Sequence, residues 1–298
     1  MGTPDFARTI LERLVADGHD VCGVFTQPDK PRNRNKVTPS PVKEYALTQN
    51  LAVYQPLKMR DGEAMRIVEA LDPELIVVAA YGKILPEDIL NYPKYGSVNV
   101  HSSLLPKYRG AAPINWAILD GEAETGVSIM YMAKELAAGD VILQKTTAIG
   151  EDEDALALTA RLAELGAEAL SEAVEALKDG TATRTPQDES KQTYASMLSK
   201  EMSPIDWSRS ARAISCQVRG LIPWPCAYAV LAGQRFKVYR TSPGRETDKV
   251  PGTVLSAGKA GIEVACGGGR SLYITELQAE GGKRMPAAAY LLGHPIQL

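Results

Sequence analysis

The stretch Leu75-Ile76-Val77-Val78-Ala79-Ala80 is a continuous run of apolar, strand-forming residues. Such runs are typical of parallel β-strands that are buried on both faces of a sheet. A second short run, Ser97-Val98-Asn99-Val100, follows it along the chain and also reads as a strand. Because ligands bind at the carboxyl ends of strands in open α/β sheets, we expect Asn99 and His101 to lie at a binding edge.

Asn99 and His101 form a pair with the chemistry of a catalytic site. They are two residues apart, so they point to the same side of an extended chain. An amide that donates a hydrogen bond beside an imidazole can polarise a carbonyl group and move a proton. A single histidine beside a strand is more often structural, but the Pro-, Gly- and Arg-containing loop at 102–113 favours a catalytic interpretation.

The pattern along the chain predicts two domains and a linker. Residues 1–182 alternate strand and helix signals, which favours a doubly wound, Rossmann-like α/β domain. Residues 183–203 are polar and are interpreted as a linker. Residues 204–298 contain a helix followed by about five short strand signals between Gly-rich turns, which predicts a small OB-like β-barrel. The predicted strands lie near 21–26, 51–54, 75–80, 97–100, 126–132, 140–145, 227–231, 236–240, 252–255, 262–265 and 271–277, and the helices near 41–49, 61–71, 154–178 and 210–219.

The composition excludes several classes of protein. Charged residues make up 23% and apolar residues 45% of 298, as in ordinary globular proteins. No apolar stretch reaches the roughly 18 residues that span a membrane, and no secretory leader is recognised. The four cysteines are scattered, which argues against a zinc cluster or a disulfide framework. Residues 201–298 have more Lys and Arg than Asp and Glu, which favours a polyanionic partner.

The first residues raise a question about the sheet. The segment Met1-Gly2-Thr3-Pro4-Asp5-Phe6 reads as a loop that opens onto a helix. A doubly wound sheet normally has a strand before its first such loop, often a central one. Either that strand has been lost from this sequence, or the sheet is one strand short.

Six segments spread over nearly the whole chain match the motifs of one known family, in the same order. They are Gly2–Phe6, Gln27–Pro31, Pro39–Lys43, Ala80–Gly82, Asn99–Pro113 and Pro223–Pro225. Together they resemble the bacterial methionyl-tRNA formyltransferase family. The Ser103-Leu104-Leu105-Pro106 segment alone is shared with other folate-dependent formyltransferases, so the combination carries the resemblance.

The resemblance implies transfer of a formyl group from 10-formyltetrahydrofolate to the α-amine of initiator methionyl-tRNA. Asn99 and His101 would stabilise the oxyanion of the tetrahedral intermediate, and His101 would also relay protons. The folate would lie against an apolar wall at 78–85 and a loop formed by Ser103, Leu104, Leu105 and Pro106. The resemblance further implies a cytoplasmic monomer that needs no metal and has no membrane partner.

One departure from the family falls on a catalytic position. The family has an Asp in a Leu-Asp-x-Gly-Asp run, and here that run is Leu136-Ala137-Ala138-Gly139-Asp140. Alanine cannot ionise, accept a proton or orient an imidazole. Glu135 and Asp140 are the nearest acids in sequence, but a displacement of about 1 Å can cost about a hundredfold in rate. We therefore expect weakened activity.

A second departure lies in the basic loop at 30–37. In the family this loop carries glycine and a basic residue that reaches the acceptor end of tRNA. Here asparagines replace the glycines, while Arg32, Arg34 and Lys36 remain as candidate tRNA ligands, with Arg34 the best match. Several cations in so short a segment suit phosphate contacts.

Two alternatives stay open at this point. The first is a folate-dependent formyltransferase that acts on a small-molecule amine, although the basic loop argues against this. The second is a non-catalytic relative that binds tRNA or folate without turnover, which the loss of the third catalytic group supports.

Overall fold

The computed structural model describes residues 1–32, 35–135 and 137–298, with only the backbone of Arg32. The chain divides into two compact units. The first comprises residues 1–113, 125–147 and 159–195, and the second comprises residues 114–124, 148–158 and 196–298. In these described ranges, no helix combines the length and apolar character needed to cross a membrane.

Residues 1–195 alternate strands and helices, as the sequence predicts. The strands are β1 (Val24–Phe25), β2 (Lys30–Arg32), β3 (Lys36–Thr38), β4 (Val53–Tyr54), β5 (Ile76–Val78), β6 (Ser97–His101), β7 (Arg109–Gly110), β8 (Glu124–Tyr131), β9 (Val141–Ala148) and β10 (Tyr194–Ala195). The helices are α1 (Asp5–Ala16), α2 (Pro41–Thr48), α3 (Glu63–Leu71), α4 (Glu87–Leu90), α5 (Pro113–Leu119) and α6 (Ala155–Asp179).

The main sheet of the first unit has the order β5-β6-β8-β9. Strands β5 and β6 are parallel, whereas β6 and β8 are antiparallel. The sheet is therefore mixed, a common arrangement in larger α/β folds. Strands β1 and β4 form a separate parallel pair, and β2 and β3 form an antiparallel pair. The β2–β3 pair and the antiparallel pairing of β8 are not visible in the sequence pattern.

Local sequence explains where the helices begin. At α2, the Ser40 hydroxyl accepts a hydrogen bond from the Lys43 amide at 3.1 Å, and Pro41 occupies the first turn. This is the arrangement in which a side chain satisfies an otherwise unpaired amide of the first turn. The same hydroxyl lies 2.6 Å from that of Thr26, which ties the start of α2 to the end of β1.

The first two residues lie between β1 and β5. The Gly2 amide donates to the Phe25 carbonyl at 2.9 Å, and the Ala79 amide donates to the Met1 carbonyl at 3.0 Å. Gly2 also forms a parallel bridge with Ala79. At the place where the sequence pattern lacks a strand, Met1 and Gly2 thus supply two residues of strand-like backbone.

The second unit contains a β-sheet with short helices. From residue 211 onward its elements are α7 (Ala211–Gly220), β11 (Ala227–Leu231), β12 (Gln234–Glu246), β13 (Val254–Gly258), β14 (Gly261–Ala265), β15 (Arg270–Ala279), β16 (Arg284–Pro286) and α8 (Ala287–Gly293). The six-stranded sheet has the order β11-β12-β15-β14-β13, with β16 paired to β15. Helix α7 is capped by Ser210, whose hydroxyl accepts from the Ala213 amide at 3.1 Å.

The five strands predicted for this region are confirmed, and β16 and α8 are additional. Strand β12 is longer than expected, and its register against β15 shifts at three places. Such irregularities bend and twist a strand. The buried core of the unit joins α7, the sheet and α8 through residues such as Ile214, Phe236 and Leu291.

We predict that Gly2→Ala destabilises the protein by about 1–3 kcal/mol, the usual cost of overpacking. A Cβ atom at position 2 would lie 2.5 Å from the Ala7 Cβ and 2.6 Å from the Ala79 carbonyl oxygen. Urea denaturation measures the change. Gly258→Ala is the matched control, since a Cβ there meets nothing within 4 Å. Equal effects of the two substitutions would contradict the close approach at Gly2.

Candidate functional site

Strand β6 places Asn99 and His101 on one face of the sheet. Asn99 is the register partner of Met130 and His101 is the partner of Ser128, both on β8. Because register partners and residues two apart share a face, these four side chains lie on the same side. His101 is the last residue of β6, as the sequence predicts. The structure therefore brings Asn99 and His101 together at the end of a central strand.

The hydrogen bond of His101 defines which ring nitrogen carries the proton. Nε2 lies 2.8 Å from the Tyr108 carbonyl oxygen. A carbonyl oxygen only accepts, so Nε2 donates, and Nδ1 of the neutral ring holds the lone pair. Burial of the ring lowers the pKa of His101 below 6.5, and the bond to Tyr108 opposes this shift. The imidazole is thus neutral at pH 7, with Nδ1 as a proton acceptor.

The loop that follows His101 is held by the hydroxyl of Ser128. This hydroxyl donates to the Ser103 carbonyl at 2.7 Å and accepts from the Leu105 amide at 3.1 Å. The Gln144 amide on β9 also donates to it, at 2.8 Å, and to the Leu105 carbonyl at 2.9 Å. Two strands therefore fix the loop backbone.

The four predicted folate ligands differ in exposure. Ser103 and Leu105 are buried, and the Ser103 hydroxyl donates to the Lys107 carbonyl at 2.6 Å. Leu104 and Pro106 are half-buried. Leu104 and Pro106 thus have side-chain surface available to a ligand, while the other two shape the loop from within.

Ala137 lies in an apolar environment next to this loop. It is buried in a cluster with Leu105, Met130 and Val141. Met130 is the register partner of Asn99, so Ala137 packs on the residue opposite Asn99. The backbone of Ala137 is left-handed, with φ of 54°. Leu136, which precedes it, lies outside the described residues.

A clamp of two polar side chains holds the backbone of the Ala137 loop. Gln187 donates to the carbonyls of Ala137 and Gly139, both at 2.7 Å. Its own oxygen accepts from Arg109 at 3.1 and 2.9 Å. Arg109 is buried, and its guanidinium pairs with Glu189 at 2.7 Å. This ion pair holds the pKa of Glu189 below its ordinary value.

The clamp changes the interpretation of the predicted linker at 183–203. Gln187 and Glu189 lie within this segment, and its Thr185 forms a β-bridge with Val141. Residues in the first part of this segment therefore help to hold the backbone of the Ala137 loop. Sequence reasoning missed Arg109, Gln187 and Ser128 because buried polar residues of this kind carry no local motif.

The two acidic residues nearest to Ala137 in sequence, Asp140 and Glu135, are not part of its apolar cluster. Asp140 lies 3.6 Å from a guanidinium nitrogen of Arg184, and that guanidinium stacks over the Tyr131 ring. Glu135 is exposed. Of the described residues, no group of three or more His, Cys, Asp or Glu side chains is arranged to hold a metal ion.

Only part of the basic loop falls within the described residues. Lys36 is exposed at the start of β3, and Arg32 ends β2. Arg34 and the side chain of Arg32 lie outside the described residues. The candidate tRNA ligands are therefore placed by the structure only through Lys36 and the backbone of Arg32.

Three of the sequence motifs meet around Thr3. Its hydroxyl donates to the Tyr81 carbonyl at 3.1 Å and accepts from the Gln27 amide at 3.4 Å. The Gln27 side chain in turn donates to the carbonyls of Tyr81 and Gly82, at 3.2 and 3.0 Å. Segments that are far apart in sequence are thus joined at the ends of β1 and β5.

Two family models match the chain. The first, described as formyl transferase, matches residues 1–174. The second, the C-terminal domain of formyl transferases, matches residues 197–295. The two matches together identify the chain as a formyltransferase, and β6 with Asn99 and His101 lies in the part matched by the first model.

The relatives define the family more closely. A methionyl-tRNA formyltransferase of Trichlorobacter lovleyi is 50% identical over 299 residues, covering 100% of this chain and 94% of the relative. Another, of Citrifermentans bemidjiense, is 49% identical over 298 residues, covering 100% and 93%. The chain therefore belongs to the methionyl-tRNA formyltransferase family.

Solved structures share the fold at much lower identity. An N-formyltransferase from Helicobacter canadensis, in complex with folinic acid and dTDP-3-aminofucose, has a TM-score of 0.68 at 17% identity. The match covers 91% of this chain and 96% of that one. HypX from Aquifex aeolicus, in complex with tetrahydrofolic acid, has a TM-score of 0.60 at 21% identity, covering 83% and 43%.

We predict that Ser128→Ala destabilises the protein by about 2–3 kcal/mol, because it leaves the buried Leu105 amide without its acceptor. Thermal denaturation measures the loss. Ser97→Ala is the control, since that buried hydroxyl makes a single bond to the Leu90 carbonyl, at 2.9 Å. The control is expected to cost about 1 kcal/mol. A smaller loss at Ser128 than at Ser97 would argue against its role in fixing the loop.

A further prediction concerns the protonation of His101. Because burial lowers its pKa, the imidazole should titrate below pH 6.5 in an NMR titration. The unfolded chain takes up this proton at higher pH than the folded one, so the contribution of His101 to stability falls as the pH drops below about 6.5. His101→Gln assigns the signal. A midpoint above 6.5 would show that the charged form is favoured at the site.

Proposed function

We propose that this protein transfers the formyl group of 10-formyltetrahydrofolate to the α-amine of initiator methionyl-tRNA. Full-length relatives at about 50% identity are named for this reaction, and this observation carries the proposal. The folate has a parallel in the folate compounds of the structural neighbours. The arrangement of Asn99 and His101 suits the chemistry that the reaction needs.

The reaction requires a base and an oxyanion donor. A bond forms between the methionyl nitrogen and the formyl carbon, and the bond from that carbon to folate N10 breaks. The proton lost by the amine ends on N10. We assign the Nδ1 lone pair of His101 as the acceptor that carries this proton, since Nε2 is bound to Tyr108. Asn99 donates to the oxyanion that develops on the formyl oxygen, an interaction typically worth about a hundred- to thousandfold in rate.

The proposed reaction also gives a role to two loops, at 103–106 and at 30–37. Leu104 and Pro106 contact the folate, and Ser103 and Leu105 hold their loop in shape. The basic residues Arg32, Arg34 and Lys36 contact the phosphates of the tRNA. The exposure of Lys36 at the start of β3 supports this role.

Further assignments go with this function. We assign residues 1–182 to the catalytic domain, 183–203 to the linker and 204–298 to a tRNA-binding domain with an OB-like barrel. The antiparallel sheet with irregular β12 supports the barrel, because bulges bend strands toward closure. A monomer acting in the cytoplasm suits a reaction on charged initiator tRNA.

We infer that Ala137 weakens the activity of this protein. The Ala137 methyl group lies in an apolar cluster and offers nothing that ionises. Asp140 is close to Arg184 and Glu135 is exposed, so neither acid compensates in the present arrangement.

We predict that Ala137→Asp raises the rate of formylation by about a hundredfold. The left-handed backbone at position 137 accepts Asp, which tolerates this conformation better than most residues. The assay follows formylation of charged initiator tRNA by 10-formyltetrahydrofolate. Ala137→Asn is the matched control, with the same shape but no ionisable group. If the parent and the Asp variant were equally active, the inference that Ala137 weakens the formylation activity would be refuted.

The two alternatives give different results in the same assay. A non-catalytic binder retains tRNA and folate while both the parent and Ala137→Asp form no product. A small-amine formyltransferase formylates a free amino sugar faster than methionyl-tRNA. Formylation of methionyl-tRNA that is abolished by His101→Asn supports the proposal against both.

A further inference from the structure

Tyr108, whose carbonyl accepts the hydrogen bond of the His101 ring, has an unusual backbone. Its φ is 59°, in the left-handed region that bulky side chains rarely adopt. Tyr108 is also buried, with 8% of its surface exposed. A strained conformation of this kind persists only where the surrounding structure holds it. The direction of the Tyr108 carbonyl therefore depends on what fixes the two peptide groups beside it.

The peptide group before Tyr108 is held at both of its ends. The Lys107 carbonyl accepts a hydrogen bond from the Ser103 hydroxyl at 2.6 Å. The Tyr108 amide donates to the Thr193 hydroxyl at 2.8 Å. Because the peptide group is planar, bonds to its carbonyl and to its amide together fix the orientation of the plane.

The peptide group after Tyr108 is held in the same way. Its carbonyl oxygen lies 2.8 Å from Nε2 of His101, and its amide, that of Arg109, donates to the Thr193 carbonyl at 2.9 Å. Rotation of this plane would weaken both bonds at once. Thr193 thus binds the N–H groups on both sides of Tyr108, and these two bonds set the φ and ψ angles of that residue.

The backbone of Thr193 is anchored to the same loop independently of its side chain. The Thr193 amide donates to the Pro106 carbonyl at 3.3 Å. The two residues that follow form β10, which pairs in parallel with β7. The hydroxyl is therefore the one part of this arrangement that a substitution at position 193 removes, while the backbone bonds remain.

The direction of the Tyr108 carbonyl matters for the chemistry of the imidazole. A neutral imidazole carries one proton, on either Nδ1 or Nε2, and the hydrogen bond of one nitrogen decides which form is present. If the Tyr108 carbonyl turned away, Nε2 would lose this acceptor. The form with the proton on Nδ1 would then become accessible, and in that form Nδ1 accepts no proton.

We propose that Thr193 is a positioning residue whose hydroxyl aims the Tyr108 carbonyl at Nε2 of His101 and so keeps the lone pair on Nδ1. Thr193 acts through Tyr108 and not on the reacting atoms. The consequence for reaction rate rests on the proposed function, in which Nδ1 accepts the proton of the amine. The effect on the hydrogen bond of the imidazole does not depend on that function.

The test compares two substitutions in the full-length chain. Thr193→Val replaces the hydroxyl by a methyl group of similar size, whereas Thr193→Ser keeps the hydroxyl. Thr183→Val is the matched control, since Thr183 is also exposed and its hydroxyl donates to the Ile142 carbonyl at 3.3 Å. Because Thr193 is exposed, its substitution leaves no buried cavity, and melting temperatures verify that all variants fold.

NMR of the isotope-labelled chain without substrate gives the first readout. It follows the Nε2 proton of His101 and the Tyr108 amide proton at about pH 8, where the ring is neutral. We expect both protons to exchange with water about tenfold faster or more in Thr193→Val, and near the parent rate in Thr193→Ser and Thr183→Val. Unchanged exchange in Thr193→Val, or an equal change in Thr183→Val, overturns the proposal.

Formylation kinetics give the second readout. We expect kcat to fall about tenfold or more in Thr193→Val with KM little changed, and Thr193→Ser to restore it, because the proton acceptor is misplaced while the binding surfaces remain. A change confined to KM, or an equal fall in Thr183→Val, overturns the positioning role. If the parent forms no product, the proposed function fails, and the exchange experiment decides the role of Thr193.

Discussion

The site depends on the register of β6 between its two neighbours. One edge of β6 pairs with β5 and the other with β8, so Asn99 and His101 face the same side as Ser128 and Met130. A slip of one residue would turn every side chain of β6 to the opposite face. The 103–106 loop, the imidazole and the Ala137 cluster are all positioned relative to this face, so the hydrogen bonds of β6 determine how the candidate site is assembled.

Much of this arrangement could be predicted from the sequence. The apolar runs at 75–80 and 97–100 were sufficient to place Asn99 and His101 at a strand end, because buried strands have a strong compositional signal. The bond from His101 to Tyr108 could not be predicted, since it depends on how the loop returns. The same holds for Gln187, which reaches Ala137 from 50 residues away in a segment whose composition indicates only a linker.

The first unit also shows how a sheet tolerates a short strand. Met1 and Gly2 connect β1 and β5 through backbone hydrogen bonds, and a cavity lined by residues of both strands lies beside them. Thr3 and Gln27 then tie the ends of the edges together through Tyr81. The polar bonds at the carboxyl ends of the strands thus maintain the binding edge, although apolar packing is incomplete at the opposite ends.

The Gln187 clamp acts on the backbone around position 137. It binds the carbonyl oxygens of Ala137 and Gly139, which every amino acid possesses, and no side-chain atom of residue 137. The clamp bonds are therefore independent of the side chain at this position. What limits that side chain is the left-handed backbone, with φ of 54°, and the apolar cluster that surrounds it.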